Sequence, residues 1–365
     1  MSQGVYFNAS ASSWTCKNAT DPAIERFHRS LPYYATTPLH DLPDIAAQLG
    51  LSHVLVKDEG HRFGLPAFKI LGASWAVFRA VGQQVGLPLT ASLDEVSEVA
   101  RKGNIRLVAC SDGNWGRSVA RMAKYLGITA TVFVPENIDQ ATRDKIAGEG
   151  AVVKVVQGSY DDGIAAARAE AESSDSLLVM DTSWTGYEEI PGWVTDGYST
   201  MLSEVSRQLP VITDSKSVTH AIVSVGVGSW AQSVVAYYKA QDPAIKIVSV
   251  EPSAAASLKS SLEAGRIMTI ETDDTIMCGM NCGTVSTNAW RVVKDGVDAA
   301  ITIEDREAHE AVLELKDKGV MCGPCGAAPF AALKKVNRDE RVGLGRDSVV
   351  VLFSTEGPRQ YVVPM

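Results

Sequence analysis

The chain has 365 residues, of which 45% are apolar and 21% are charged, and its formal net charge is −9 at pH 7. This composition is ordinary for a folded globular protein, and the length is enough for two domains. No run of Lys and Arg interrupts the acidic balance, so we expect neither nucleic acid nor a membrane as a partner. We also expect no secretory signal, no membrane span and no disulfide scaffold, which together predict a cytoplasmic protein.

Short runs of Val, Ile and Leu recur along the chain and predict strands. These runs do not alternate with polar residues, which is typical of strands buried on both faces of a parallel sheet. The predicted strands are 53–57, 106–110, 129–134, 151–156, 177–181, 221–225, 246–250 and 348–353.

Helical patterns lie between these runs. Residues 92–103 begin with Ser92 and Glu95 at the spacing of a capping box. Residues 160–173 and 306–319 place apolar residues at helical spacing among charges. The alternation of strands and helices predicts an α/β fold of doubly wound sheets. We expect one sheet within a small domain, 81–189, and another within a large domain, 1–80 with 190–365.

Lys69 lies in the otherwise apolar stretch AFKILGASWA, residues 67–76. Lysine is rarely buried without a partner, because its ammonium is costly to remove from water. Lys69 is therefore either a surface lysine whose stem covers apolar surface, or an amine kept neutral for chemistry.

A glycine-rich turn follows the strand 221–225. Gly226 and Gly228 allow the backbone to approach an anion at the start of the next helix, which predicts a phosphate site. With Ala231 the spacing also fits a dinucleotide fold, in which Glu251 would bind the ribose. An NAD-dependent oxidoreductase is therefore one possible function of this chain. A non-catalytic amino-acid-binding module is another.

Two more polar turns follow predicted strands, where ligands bind in open α/β sheets. The turn after 106–110 contains Ser111, Asp112, Gly113 and Asn114. This turn is a candidate for ligand binding. The alternative is that it only caps the helix that begins near Trp115. The last predicted strand is followed by Ser354 and Thr355.

Together these segments resemble the fold type II pyridoxal-phosphate enzymes, the tryptophan synthase β-subunit superfamily. Within it they most resemble the diaminopropionate ammonia-lyases. The matching segments are AFK at 67–69, SDGN at 111–114, GVGS at 226–229, Ser354, and the stretches 58–74, 180–201, 250–252 and 326–328. The resemblance implies two doubly wound domains, pyridoxal 5′-phosphate as cofactor, a small amino-acid substrate and a homodimer.

The resemblance also implies how the cofactor would be held. Lys69 would form the Schiff base, Asn114 would bind the phenolic oxygen, and Ser354 would face the pyridine nitrogen. The phosphate would be bound by backbone N–H groups of Gly226, Val227, Gly228, Ser229 and Trp230.

The same resemblance implies a substrate and a reaction. Ser111, Asp112 and Gly113 would receive the substrate carboxylate. Relatives that dehydrate serine or threonine usually have an uncharged residue at position 112, whereas a carboxylate suits a cationic β-substituent such as that of 2,3-diaminopropionate. The implied reaction is α,β-elimination to pyruvate and ammonia, with Lys69, Asp112 and Asp181 as catalytic residues. For Asp181, capping the next turn is the alternative.

Two residues depart from the family pattern. Trp115 stands where the superfamily usually has His, and Pro324 stands where the ammonia-lyases usually have Glu. Serine or threonine dehydration and β-replacement therefore remain alternatives.

Four cysteines are candidates for zinc binding, and one histidine is a candidate for substrate contact. Cys278, Cys282, Cys322 and Cys325 have spacings that could bind zinc. We interpret these cysteines instead as small residues in tight turns, and we expect no metal. His61 is expected to be structural rather than to contact substrate.

Overall fold

The computed structural model describes residues 4–17, 20–111, 113–136, 138–158, 160–174, 176–242 and 244–365. The strands are β1 Val5–Phe7, β2 Leu39–Asp41, β3 His53–Asp58, β4 Arg106–Cys110, β5 Thr129–Pro135, β6 Val152–Val156, β7 Leu177–Leu178, β8 His220–Ser224, β9 Lys246–Pro252, β10 Ala299–Ile303 and β11 Val349–Ser354.

Helices connect these strands, as the alternating pattern predicts. They are α1 Pro22–Ser30, α2 Pro43–Leu49, α3 Lys69–Gln84, α4 Leu93–Lys102, α5 Asn114–Leu126, α6 Gln140–Gly148, α7 Tyr160–Ser174, α8 Glu189–Gly197, α9 Ser199–Ile212, α10 Ser229–Gln241, α11 Ser257–Ala264, α12 Thr287–Gly296, α13 Asp305–Asp317 and α14 Pro324–Val336. Short 3₁₀ helices cover Ala11–Ser13, Ser253–Ala255 and Cys278–Met280. No helix in these ranges is long and apolar enough to cross a lipid bilayer.

The first compact unit comprises Met1–Glu25, Leu31–Phe68 and Tyr198–Met365. Among its described residues, a seven-stranded sheet has the order β1-β10-β9-β8-β11-β3-β2. The two edge strands are antiparallel to their neighbours, and the inner strands are parallel. Every residue of β8 and β11 is buried, because helices cover both faces of a parallel sheet. Helix α14 packs against the central strands and supplies Phe330 and Leu333 to the core.

The second compact unit comprises Arg26–Ser30 and Lys69–Gly197. Its described strands form a parallel four-stranded sheet of order β6-β5-β4-β7. Helix α7 packs on β4 and β5, where Ala167 contributes to a core with Val108 and Cys110. Since side chains alternate along a strand, Leu107 and Ala109 face the opposite side, and both are fully buried. The sheet is thus covered on both faces, as a doubly wound sheet requires.

The predicted pair of sheets and the strand and helix pattern are confirmed. The capping box forms as expected, with Ser92 Oγ accepting from Glu95 N at 3.2 Å and Ser92 N donating to Glu95 Oε2 at 2.7 Å. The prediction of a strand over 177–181 is wrong beyond Leu178, because the chain leaves the sheet there. The pattern also missed β10, whose Ala299 and Ala300 carry little strand preference, and the three-residue edge strands β1 and β2.

The compact units divide at Phe68–Lys69 and at Gly197–Tyr198. The predicted domains, 1–80 with 190–365 and 81–189, place these divisions elsewhere, and the first of them would cut α3. The domain bounds stay a prediction.

Candidate active site

Lys69 and Asp181 meet in the second unit. Lys69 is the first residue of α3 and is half-buried, and its Nζ donates to Oδ2 of the buried Asp181. The positive end of the helix dipole opposes an ammonium at this position, whereas the Asp181 carboxylate stabilises one. Lys69 is therefore neither a free surface lysine nor an isolated buried amine. It is an amine held by an acid, which suits an exchange of protons.

Trp115 lies beside this pair. The Lys69 Nζ is 5.9 Å from the centre of the Trp115 ring, and the indole Nε1 donates to Val179 O at 3.1 Å. The residue that departs from the family pattern therefore contacts both the lysine and the backbone that leads to Asp181.

The turn 111–114 connects β4 to α5. Gly113 is the N-cap residue of α5, with φ 148° and no side-chain cap, so the alternative in which Asn114 caps this helix is wrong. Instead the Ser111 Oγ accepts from Gly113 N at 2.9 Å and from Gly116 N at 2.7 Å. Within the described residues the Ser111 hydroxyl proton has no acceptor, which leaves it for a ligand. Asp112 lies outside the described residues.

The glycine-rich turn of the first unit leads from β8 into α10. Gly228 has φ 93° and precedes Ser229, the first helical residue. The first N–H groups of α10, including those of Ser229 and Trp230, have no intrahelical acceptor and are available to an anion. A Cβ on Gly226 would lie 3.0 Å from Gly279 O, and one on Gly228 would lie 2.9 Å from Ala289 Cβ. A side chain at either position would therefore force the turn or its neighbours to shift.

The side chains next to this turn are apolar. Val227 is buried, and its carbonyl accepts from Ser286 N at 2.9 Å. Trp230 packs with its ring centre 5.3 Å from that of Phe68 and 5.0 Å from that of Phe353. Any ligand contacts from Val227 and Trp230 would thus come from the backbone, as expected.

Ser354 ends β11 in the middle of the seven-stranded sheet. It is fully buried, and among the described residues its Oγ has no nitrogen or oxygen partner, although it interacts with the neighbouring thiol of Cys322, a weak partner. A buried hydroxyl usually has a partner, because an unmade hydrogen bond costs about 1–3 kcal/mol. A ligand group at this position would supply one.

The backbone that precedes Lys69 is fixed to the residues that follow Ser354. Phe68 N donates to Thr355 O at 3.3 Å, and Gly357 N donates to Pro66 O at 2.8 Å. Ala67 and Glu356 form an antiparallel bridge. The segment 66–68, which leads into the lysine, is therefore held by regular backbone pairing in the first unit.

Glu251 does not face a ligand. Its Oε1 accepts from Leu258 N at 2.7 Å and its Oε2 from Lys259 N at 2.8 Å, both in the first turn of α11. Both carboxylate oxygens are used, and the side chain is buried, which raises its pKa to about 8. The ribose-binding role considered for Glu251 is wrong, and the dinucleotide alternative loses its supporting residue.

The cysteines line the tight turns of the first unit. Cys322 and Cys325 are buried at the start of α14, and burial raises the pKa of Cys322 to about 12. Pro324, the other departure from the family pattern, is the first residue of α14, where its missing N–H costs nothing. His61 is exposed.

Sequence reasoning missed a buried charge cluster in the first unit. Arg62 forms ion pairs with Glu59 at 2.6 Å and Glu204 at 2.8 Å, and Lys57 pairs with Glu204 at 2.8 Å. All four side chains are fully buried. The signal in the sequence was weak, since Glu204 is distant from the other three along the chain.

Comparisons with known proteins found similarity over most of the chain. The model of the "pyridoxal-phosphate dependent enzyme" family matches residues 31–355. The diaminopropionate ammonia-lyase of Salmonella typhimurium is 34% identical over 353 residues, which cover 91% of this chain and 87% of the relative.

Two solved structures of the diaminopropionate ammonia-lyase from Escherichia coli are similar over 97% of this chain and 93% of their own. The complex with D-serine has a TM-score of 0.89 at 28% identity. The complex with an aminoacrylate-PLP azomethine reaction intermediate has a TM-score of 0.85 at 29% identity.

Proposed function

This chain belongs to the pyridoxal-phosphate dependent enzyme family, and from that membership we propose that it eliminates ammonia from 2,3-diaminopropionate to give pyruvate and ammonia. The observation that carries the proposal is the pair formed by the Lys69 amine and the Asp181 carboxylate at the start of α3. The similarity to diaminopropionate ammonia-lyases over most of the chain supports the choice of substrate.

Two features of the first unit fit pyridoxal 5′-phosphate. The buried Ser354 Oγ has no nitrogen or oxygen partner among the described residues and would bind the pyridine nitrogen. The turn from Gly226 to Trp230 presents helix N-terminal N–H groups that would bind the phosphate, and the close contacts behind Gly226 and Gly228 hold it rigid. In the second unit, Asn114 at the start of α5 would bind the phenolic oxygen, and Lys69 the aldehyde carbon.

When bound, the cofactor supplies an electron sink that stabilises negative charge at the substrate's α-carbon. The Lys69 amine takes the α-proton, and Asp181 stabilises the ammonium that results. The turn 111–113 would orient the substrate carboxylate through the Ser111 hydroxyl. The β-amine then leaves as ammonia, and the aminoacrylate that is released takes up water to give pyruvate and a second ammonia. Asp112 is proposed to take the α-proton of the other stereoisomer, and its carboxylate would favour a cationic β-substituent.

A homodimer and a cytoplasmic location complete the proposal. Both rest on the family resemblance and on the sequence composition.

The test is a visible absorption spectrum of the purified protein, combined with an assay for pyruvate. We expect a cofactor band that changes when L- or D-2,3-diaminopropionate is added, while pyruvate accumulates. Serine and threonine are the matched controls, because they differ at the β-substituent. A band that responds to serine or threonine and not to diaminopropionate would replace the proposal with a dehydratase, and a protein that takes up no pyridoxal phosphate would reject the cofactor.

Replacing Gly228 by alanine (Gly228→Ala) should weaken cofactor binding by about tenfold or more. The added Cβ would meet Ala289 Cβ, and the positive φ disfavours a side chain, so the turn must shift away from its phosphate-binding geometry. Binding can be measured by fluorescence titration of the cofactor-free protein. Gly265→Ala is the matched control, since Gly265 also has a positive φ but a Cβ there meets no atom within 4 Å. Equal losses of cofactor affinity in the two variants would show that strain at a positive φ weakens binding, and not the contact with Ala289.

A further inference from the structure

The backbone leaves the sheet after Leu178, the last residue of β7, and Val179 and Met180 lead directly into Asp181. The last backbone hydrogen bond between this segment and β4 joins Val179 N to Val108 O at 2.8 Å. The next amide of β4, Cys110 N, has the Sδ of Met180 as its acceptor at 3.2 Å instead of a carbonyl oxygen. Sheet pairing therefore does not fix the residues immediately before Asp181.

Two side chains provide the missing hydrogen bonds. The Tyr187 hydroxyl donates to Leu178 O at 2.7 Å and accepts from Met180 N at 3.0 Å. The Trp115 Nε1 donates to Val179 O at 3.1 Å. Three consecutive residues are thus held by side chains, and Val179 and Met180 are themselves fully buried.

The Tyr187 ring is itself held firmly. Trp184 and Tyr187 exchange backbone hydrogen bonds of 2.9 and 3.3 Å across a turn in which Gly186 has φ 87°. The two rings stack with centres 4.5 Å apart and planes 18° from parallel. Burial raises the pKa of the Tyr187 hydroxyl above its usual range, so it remains a donor at every working pH. The residue has the rigidity that a positioning role needs.

We infer that Tyr187, together with Trp115, is a positioning residue that holds the Asp181 carboxylate against the Lys69 amine. Its importance for catalysis rests on the proposed function, since that function gives the pair its task. A carboxylate displaced by about 1 Å from its partner can cost about a hundredfold in rate.

Tyr187→Phe is the test, because it keeps the stacked ring and removes only the hydroxyl. We expect kcat for diaminopropionate to fall by about tenfold or more and KM to change by less than about twofold. In an Asp181→Asn background the same change should have little further effect, because Tyr187 acts through Asp181. If the kcat losses of Tyr187→Phe and Asp181→Asn multiply in the double variant, Tyr187 acts independently of Asp181. That result would overturn the inference.

A second readout needs neither cofactor nor turnover. In the cofactor-free protein, the Lys69 amine donates to the Asp181 carboxylate, and this contact restricts the approach of trinitrobenzenesulfonate to the amine. The labelling rate of the peptide that contains Lys69, measured by mass spectrometry at fixed pH, should rise several-fold in Asp181→Asn and in Tyr187→Phe. Unchanged labelling in Tyr187→Phe would overturn the inference even if the enzyme is active. Raised labelling in a protein that does not release pyruvate would support it and reject the proposed function.

Two variants complete the design. Tyr237→Phe is the matched control, since it removes a hydroxyl bonded to Ser206 at an exposed site of the first unit, and it should leave rate and labelling unchanged. Trp115→Phe removes the hydrogen bond to Val179 O and should raise labelling in the same direction. If the thermal transition shows that Tyr187→Phe does not fold, Trp115→Phe is used in its place. The inference is then rejected if labelling of Lys69 does not increase in Trp115→Phe.

Discussion

Replacing Lys69 by alanine (Lys69→Ala) is expected to reduce pyruvate formation by at least about a thousandfold. Lys69 is the proposed base for the α-proton, and a positioned base alone contributes about 10²–10⁴ in rate. The variant also lacks the amine that would hold the cofactor covalently, so its visible band should disappear on gel filtration. Both can be measured on one preparation, by the pyruvate assay and by absorption after desalting.

Lys239→Ala is not a suitable control, because Lys239 is fully buried in an ion pair with Asp298. Lys102→Ala is suitable, since Lys102 is exposed on α4 and pairs with the exposed Glu98 one turn earlier in the helix. It should retain activity and the visible band. A Lys69→Ala protein that kept the band after desalting would contradict the assignment of Lys69.

Arg62→Met is expected to destabilise the protein by about 3–5 kcal/mol. It leaves the fully buried carboxylates of Glu59 and Glu204 with Lys57 as the remaining cation of the cluster. Breaking a buried ion pair by removing one partner costs this much because an uncompensated charge stays in the interior. The free energy of unfolding can be measured by urea denaturation of the two proteins.

The control is the same substitution at Arg306, which pairs with Glu310 on the exposed surface of α13. Arg306→Met should cost less than about 0.5 kcal/mol. Similar losses in the two variants would show that the buried cluster adds nothing to stability.

The contribution of the cluster should depend on pH. Burial alone would raise the pKa of Glu204, but Arg62 and Lys57 overcome this effect and hold it at about 2. A depressed pKa contributes stability above the unfolded value of about 4.3, and this stability is lost as the pH falls toward about 2. The difference between wild type and Arg62→Met should therefore shrink between pH 4 and pH 2.

The sequence predicted the parts of the fold that local patterns encode. The Val-rich strands β3, β4, β8, β9 and β11 could be predicted because they are buried on both faces. The proposed site residues could be put forward only as a set, since Ser354, Gly226 and Lys69 are each ambiguous alone, and their roles stay a prediction.

The remaining features depend on contacts between distant residues. Lys69 and Asp181 lie 112 positions apart, and Arg62 and Glu204 lie 142 apart. One sequence contains no signal for such pairs. Glu251 shows the opposite error, in which a good local motif assigned a ligand to a carboxylate that the structure uses to hold a helix.

The place of β11 in its sheet has a consequence for the order in which the protein can fold during synthesis. This strand is the last of the described strands along the chain, yet it lies between β8 and β3 and is paired with both. While a ribosome is still adding residues before 349, the strands on either side of it have no common neighbour. The sheet can close only after residues 349–354 have been made, and the segment that ends at Phe68 gains its partners at the same stage. Capture of the cofactor should therefore follow the synthesis of β11.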